Sequence, residues 1–391
     1  MFLTLAISIA LISLLVAYAK NRYINFISPY LFFFTGPVLT YFGFINTLTG
    51  FNGIDSNKIY FGITFYTVFI AYHLSNKRNE IKKTPVNFII SVLNPLYLFT
   101  GPIPNKIINQ FRIITPKIIL KRLIFIHSDL LLGILFALIL APVFKQFFYL
   151  KESITIIDIF LFGIVFELYV YFNFAGFSFI AAGLMRLLGI KVLQNFNQPF
   201  SAKSIVEYWQ RWHISLSFIL KKLFFEKIKS QLGLYITVFV VFLASAIWHG
   251  ISYNFIIWGL FHSLMWCMAH YFHKQKFKVL NYFVLAYGII VGRVIFSEID
   301  SNFLWTKMKI ILNIYNWNLN TEMEIPNMGR IGTINFIIAS IIISLEVILP
   351  RFGFKNYNYS HLKSHFISCL IALYICLVLF NRNGTPVYGD R

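Results

Sequence analysis

Acidic side chains are scarce in this chain: 14 Asp and Glu stand against 34 Lys and Arg in 391 residues, a formal charge of +20. Charged residues of every kind make up only 12% of the sequence, roughly half of what a soluble domain carries. Cysteine is nearly missing. Cys267, Cys369 and Cys376 all lie inside apolar runs, are odd in number and show no C-x-x-C spacing, which excludes a disulfide framework and a zinc site; small core residues are the expectation. No H-E-x-x-H spacing, no G-x-S-x-G elbow and no Ser-His-Asp pattern occurs, so no metal ligand set is expected. Internal repeats and low-complexity linkers are also missing.

Hydrocarbon fills the gap. Hydrophobic residues reach 58%, with 45 Phe, and the mean hydropathy is +0.71. No soluble interior hides that much apolar surface, so a cytosolic enzyme, a secreted scaffold and a disordered chain are all excluded. The composition predicts an all-α, polytopic transmembrane helical bundle. The basic excess then reads as Lys and Arg collected in cytoplasmic loops and against anionic membrane lipid; nucleic acid is not an expected partner.

A membrane span needs about 20 mostly apolar residues. Candidate spans are 2–19, 24–44, 59–75, 123–144, 155–173, 234–248, 252–272, 279–297, 332–350 and 364–381. The stretch 86–103 is broken by Pro95, Gly101 and Pro102, and 174–232 mixes apolar runs with charges and Pro199. Both suit short, tilted or re-entrant segments, which gives about ten to twelve spans in one integral membrane domain, 1–391. The first apolar run is followed, not preceded, by Lys20 and Arg22, so it reads as a span with its N-terminus outside rather than as a signal peptide. Lys77, Arg78, Lys82 and Lys83 mark an inner loop after the third span, as do Arg351, Lys355 and Lys363 later. The loop 45–57 after the second span carries only Asp55, and the segment 315–331 carries Glu322 and Glu324, so both read as outer. The basic run 105–122 (Lys106, Arg112, Lys117, Lys121, Arg122) reads as an inner segment on the lipid surface.

The middle of the chain departs from this pattern. NFNQPFSAKSIVEYWQRWHISLS, 195–217, gathers Asn195, Asn197, Lys203, Ser204, Glu207, Gln210, Arg211, His213, Ser215 and Ser217. Polar groups at membrane depth are costly and normally face a cavity or one another. If 203–219 is helical, Glu207 and Arg211 pair at i,i+4, while His213 need not share their face. Trp209 and Trp212 suit an interface, and an interfacial helix with a polar face is the competing reading of the block. A second feature is SAIWHG, 245–250, where His249 sits in an apolar span between Trp248 and Gly250. Histidine is the side chain best suited to general-base work near neutral pH, and Gly250 lets a backbone or substrate come close. A lone histidine in a span can equally be structural. His262, His270 and His273 follow at loose intervals and read as interfacial.

FNFAGFSFIAAGLMRLLGI at 172–190, NFNQPF at 195–200, EYWQRWHISLS at 207–217, SAIWHG at 245–250 and FIIWGLFH at 255–262 together resemble the signature of the membrane-bound O-acyltransferases. GITFYTVFIAYHLSNKRN at 62–79 and LFTGPI at 98–103 resemble early blocks of the bacterial branch, and VIFSEIDSNFLWTKMKIIL at 294–312 a late one. The resemblance therefore covers about 62–312 with the motif order kept. Bacterial relatives of this kind O-acetylate exported polysaccharides or transfer D-alanine towards teichoic acid.

That resemblance implies a helical bundle around a central tunnel, a catalytic role for His249, and His213 as the family's second histidine with Trp212 and Arg211 beside it. Trp248, Asn195, Asn197, Glu207 and Ser215 are the implied substrate-binding residues. Lys203, Lys221 and Lys222 would form a basic donor mouth, although cytoplasmic topology alone also accounts for lysines there. No bound cofactor is implied; a coenzyme A thioester or an acyl carrier protein would be the cytoplasmic co-substrate. An extracytoplasmic cell-envelope glycan, or a partner transferase, would take the acyl group. The expected location is the bacterial inner membrane. The chain departs from its relatives at Asn173, where they usually carry Asp, at Lys221 and Lys222 in FILKKLFF, and in IFSE at 295–298, where they usually carry Arg; its C-terminal TPVYGDR echoes their aromatic ending only faintly. D-alanyl transfer from a carrier protein, a lipid or polysaccharide transporter and a non-catalytic scaffold are the alternatives.

Overall fold

The computed structural model describes residues 2–41, 56–97, 101–108, 116–190, 192–321, 323–324, 326–348 and 365–380. Asp55, Arg112, Glu322, Arg351, Lys355, Lys363, positions 98–100 and the C-terminal TPVYGDR lie outside them. No strand occurs among the described residues, and the chain is an all-α membrane bundle. In order the helices are α1 Phe2–Tyr18, α2 Arg22–Tyr41, α3 Ser56–Asn76, α4 Arg78–Lys83, α5 Pro85–Val92, α6 Pro116–Ile134, α7 Ala141–Lys145, α8 Ile156–Leu187, α9 Ile205–Arg211, α10 Ile214–Leu220, α11 Glu226–His249, α12 Tyr253–Lys274, α13 Lys278–Ser297, α14 Ser301–Leu312, α15 Gly329–Ile348 and α16 His365–Phe380. In their described residues, the ten apolar stretches named from the sequence fall on helical segments. Among the described residues, six segments are long and apolar enough to cross a membrane: Ile126–Lys145, Ile156–Leu187, Ile214–His249, Tyr253–Lys274, Lys278–Ser297 and Gly329–Ile348. The helices α1 and α16 are apolar but only 17 and 16 residues long, which is one reason the number falls below ten to twelve.

Two boundaries differ from the sequence reading. The span expected at 155–173 is the first half of α8, whose 32 residues reach about 48 Å, well beyond the hydrocarbon core. The FAGFSFIAAGLMRL run is therefore the continuation of this helix, not a separate short segment. Its polar residues do not break it, because they turn inward: Ser178 Oγ accepts a hydrogen bond from Asn195 Nδ2 at 2.9 Å. Its small residues admit a neighbour. A Cβ on Gly176 would lie 2.5 Å from the backbone nitrogen of Ala137, so α8 meets the π-helical turn Leu135–Leu140 between α6 and α7 at backbone distance. The second boundary is at 203–219, which is not one helix. It ends at Arg211 and restarts at Ile214, with Trp212 extended and His213 left-handed at φ 45°, ψ 54°. From there α10, a π-helical turn at Lys221–Phe225 and α11 run on, with a break inside α11 at Gly233 (φ 75°, ψ 174°).

Buried charges tie the layers together. Arg186 near the end of α8 pairs with Asp129 of α6, and Arg122 Nη1 donates to the Leu187 carbonyl at 2.7 Å, capping the negative end of the same helix. Glu346 of α15 accepts from the Tyr171 hydroxyl at 2.8 Å and from the backbone N–H of Phe200 at 2.9 Å. Lys307 of α14 is buried against Glu298 at 2.8 Å; burial pushes its ammonium below the usual lysine range and the carboxylate opposes that shift. The cysteines are not core residues: Cys369 and Cys376 face outward on α16 and Cys267 is half-buried. Among the basic residues of 105–122, Lys106 is exposed, and the side chains of Lys117 and Lys121 lie outside the described residues.

Candidate active site

The break between α9 and α10 is built by the polar block. Ser204 caps α9, accepting from the Glu207 N–H at 3.2 Å, and Glu207 in turn accepts from the Lys203 N–H at 2.9 Å, a local arrangement close to a capping box. Arg211 at the other end clamps Glu207 with Nε and Nη2 at 3.0 and 2.7 Å, the pairing expected from their spacing. The connecting segment 195–197 then runs beside the break. The Asn197 N–H donates to the Arg211 carbonyl, and the Ile214 N–H to the Asn195 carbonyl, at 3.0 and 2.9 Å. The Asn195 side chain accepts from the Ser215 N–H at 3.2 Å, and Ser215 Oγ accepts from the Ile103 N–H at 3.1 Å. The left-handed turn costs about 1–3 kcal/mol for a residue other than glycine, and this lattice of backbone bonds holds it. The turn redirects the chain so that Trp212 and His213 both enter the interior; they are 6% and 7% exposed.

They enter a cavity of about 1440 Å³ between α6–α7, α8, α9–α10, α11, α12 and α13. His213, Trp212, Trp248, His249, Lys221 and Asn173 all line it. His213 stacks on Phe65 of α3 at 5.8 Å, meets Trp248 edge-on at 6.5 Å, and neither ring nitrogen has a hydrogen-bond partner among the described residues. His249, the last residue of α11, is walled by Trp248, Phe255, Trp258 and Phe296 at 4.7, 6.0, 5.5 and 5.0 Å between ring centroids. The space beside Gly250 is taken by the protein itself: a Cβ there would meet the Phe255 ring at 2.7 Å. Aromatic walls with two imidazoles in a water-poor interior suit proton transfer to a bound group rather than to bulk water.

The other expected site residues do not line this cavity. Asn195, Asn197, Glu207, Arg211 and Ser215 form the lattice behind the His213 turn, Lys203 is exposed beside it, and Lys222 pairs with Glu226 at 2.9 Å. Trp209 is half-buried and Trp212 buried, both against the cavity, and His262 is buried among Trp209, Trp258 and Phe242. His270 stacks on Trp266, and His273 is exposed. Two cavity cations escaped the sequence reading, Lys145 and Arg293. Arg293 pairs with Glu167, whose Oε1 accepts from the Tyr208 hydroxyl at 2.5 Å. The usable signal was there: Glu167 and Arg293 are ionisable residues inside apolar spans, and such residues mark functional sites.

A polytopic membrane bundle with a buried two-histidine cavity is the class that this fold and site define. Residues 117–296, which carry both histidines and Arg293, match the model of the MBOAT, membrane-bound O-acyltransferase, family. A "probable alginate O-acetylase" of Pseudomonas aeruginosa is 27% identical over 196 residues, 48% of this chain and 37% of that protein. A teichoic acid D-alanyltransferase of Bacillus subtilis is 34% identical over 128 residues, 29% of this chain and 32% of that protein. A peptidoglycan O-acetyltransferase of Helicobacter pylori is 35% identical over 117 residues, 29% of this chain and 22% of that protein. The chain thus spans well under half the length of each of these relatives.

Proposed function

We propose that this protein is an O-acyltransferase of the bacterial cytoplasmic membrane. It moves acetyl, or another small acyl or aminoacyl group, from a cytoplasmic thioester to a hydroxyl of a cell-envelope glycan outside. The observation that carries the reading is that His213 and His249, far apart in sequence, line one buried cavity within the 117–296 match. His249 takes the proton of the acceptor hydroxyl as that oxygen attacks the thioester carbonyl. A cavity reached from both sides holds in line two substrates that never share a compartment, and alignment supplies much of the barrier reduction. The N-terminus lies outside in this scheme, and Lys221 stands at the donor end.

Mass spectrometry of surface glycan from cells with and without the gene tests the reading. Loss of an ester-linked acyl group on deletion is expected; an unchanged glycan, or a missing glycan rather than a de-acylated one, would replace the transferase by a transporter.

The two lysines that replace the relatives' pair separate here. Lys221 borders the cavity, whereas Lys222 is engaged by Glu226. Lys221→Ala should lower glycan acylation by about tenfold through weaker capture of an anionic donor, with Lys222→Ala within about twofold of wild type. Acyl content at matched protein abundance is the measurement, and equal losses from both variants would take Lys221 out of the donor mouth.

A further inference from the structure

Arg293 is 6% exposed and lines the cavity with both histidines. Its Nε donates to Glu167 Oε2, and the other oxygen of that carboxylate is taken by Tyr208. The guanidinium lies over Trp212, 4.8 Å from the ring centroid, and 5.9 Å from Phe296, the ring that also touches His249. Nη2 is buried and has no hydrogen-bond partner among the described residues. An unused charge-bearing donor in a low-dielectric interior is expensive, and packing alone would be served as well by an apolar residue in place of the whole pair. The pair with Glu167 is neutral overall. It therefore favours a ligand group that is neutral at rest and becomes negative as it reacts, over a permanent anion.

We infer that Arg293 is a catalytic residue whose Nη2 N–H binds the acyl carbonyl oxygen, with Glu167 and Tyr208 as positioning residues that fix its plane. The inference rests on the acyltransferase reading above. The acceptor oxygen forms a bond to the carbonyl carbon as its proton passes to His249. The carbonyl π pair moves onto oxygen, where Arg293 holds the oxyanion. Collapse of the oxyanion re-forms the carbonyl and breaks the carbon–sulfur bond, and the thiolate leaves with the proton from His249. Ester and thiol are the products, with no other reactant consumed.

The test is complementation of a deletion strain with full-length variants, reading glycan acyl content, membrane abundance and thermal stability in detergent. Arg293→Gln combined with Glu167→Gln removes both charges together. We expect this double variant to accumulate normally yet transfer acyl groups about 10²–10³-fold more slowly, the usual cost of losing an oxyanion donor. Recovery to within threefold of wild type would mean that Arg293 only balances Glu167, and would overturn the inference. Arg293→Lys keeps the charge on Glu167 and covers the case of a misfolded double variant: a loss of about tenfold or more at normal abundance supports the role, and an unchanged rate overturns it. If wild type and His249→Ala leave the deletion strain equally unacylated, the acyltransferase reading itself has failed.

Discussion

Replacing His249 by alanine should lower acyl transfer by about 10²–10⁴-fold while the protein still reaches the membrane in normal amount. The ring ends α11 and its neighbours are aromatic side chains of α11, α12 and α13, so truncation removes the imidazole and leaves their packing largely in place. Some stability is lost with the ring volume. His249→Gln, which keeps most of that volume but cannot act as the base, should be as inactive as the alanine variant and more abundant. Quantifying ester-linked acyl groups on the glycan, alongside protein abundance, checks both variants. Activity of His249→Ala within twofold of wild type would remove His249 from the chemistry.

The second large effect concerns folding. Glu167→Ala strands Arg293 in the interior and deprives the Tyr208 hydroxyl of its acceptor. Breaking a buried pair by removing one partner costs about 3–5 kcal/mol, because an uncompensated charge stays behind. A lower melting temperature in detergent and a sharp fall in abundance are expected. Adding Arg293→Met in the same chain should return most of the loss, since the charge requiring compensation is gone. The two losses adding instead of cancelling would mean that the pair is not energetically coupled. A restored but inactive double variant is the outcome consistent with the role inferred for Arg293.

Glu167 and Arg293 also show where reading the chain alone stops. Each is visible as a single charge in an apolar run, but they lie on α8 and α13, and only packing of those helices brings them together. The resemblance implies Asn195 and Ser215 as substrate contacts, one just before RWHISLS and one within it; in three dimensions they bond the His213 turn, α8 and Ile103. The Glu207–Arg211 pair, in contrast, was readable, because i,i+4 spacing on a helix is a local rule.

The sequence by itself determined the class: too few charges for a soluble surface, apolar runs long enough to cross a bilayer, and a polar block with two histidine motifs in a recognisable order. These follow from composition and local spacing, which need no knowledge of neighbours. The tertiary structure decided which polar groups meet. The left-handed turn at His213, the π-helical turns and the close approach of α8 to Leu135–Leu140 arise from contacts between distant segments, and those contacts put His213, His249 and Arg293 around one cavity.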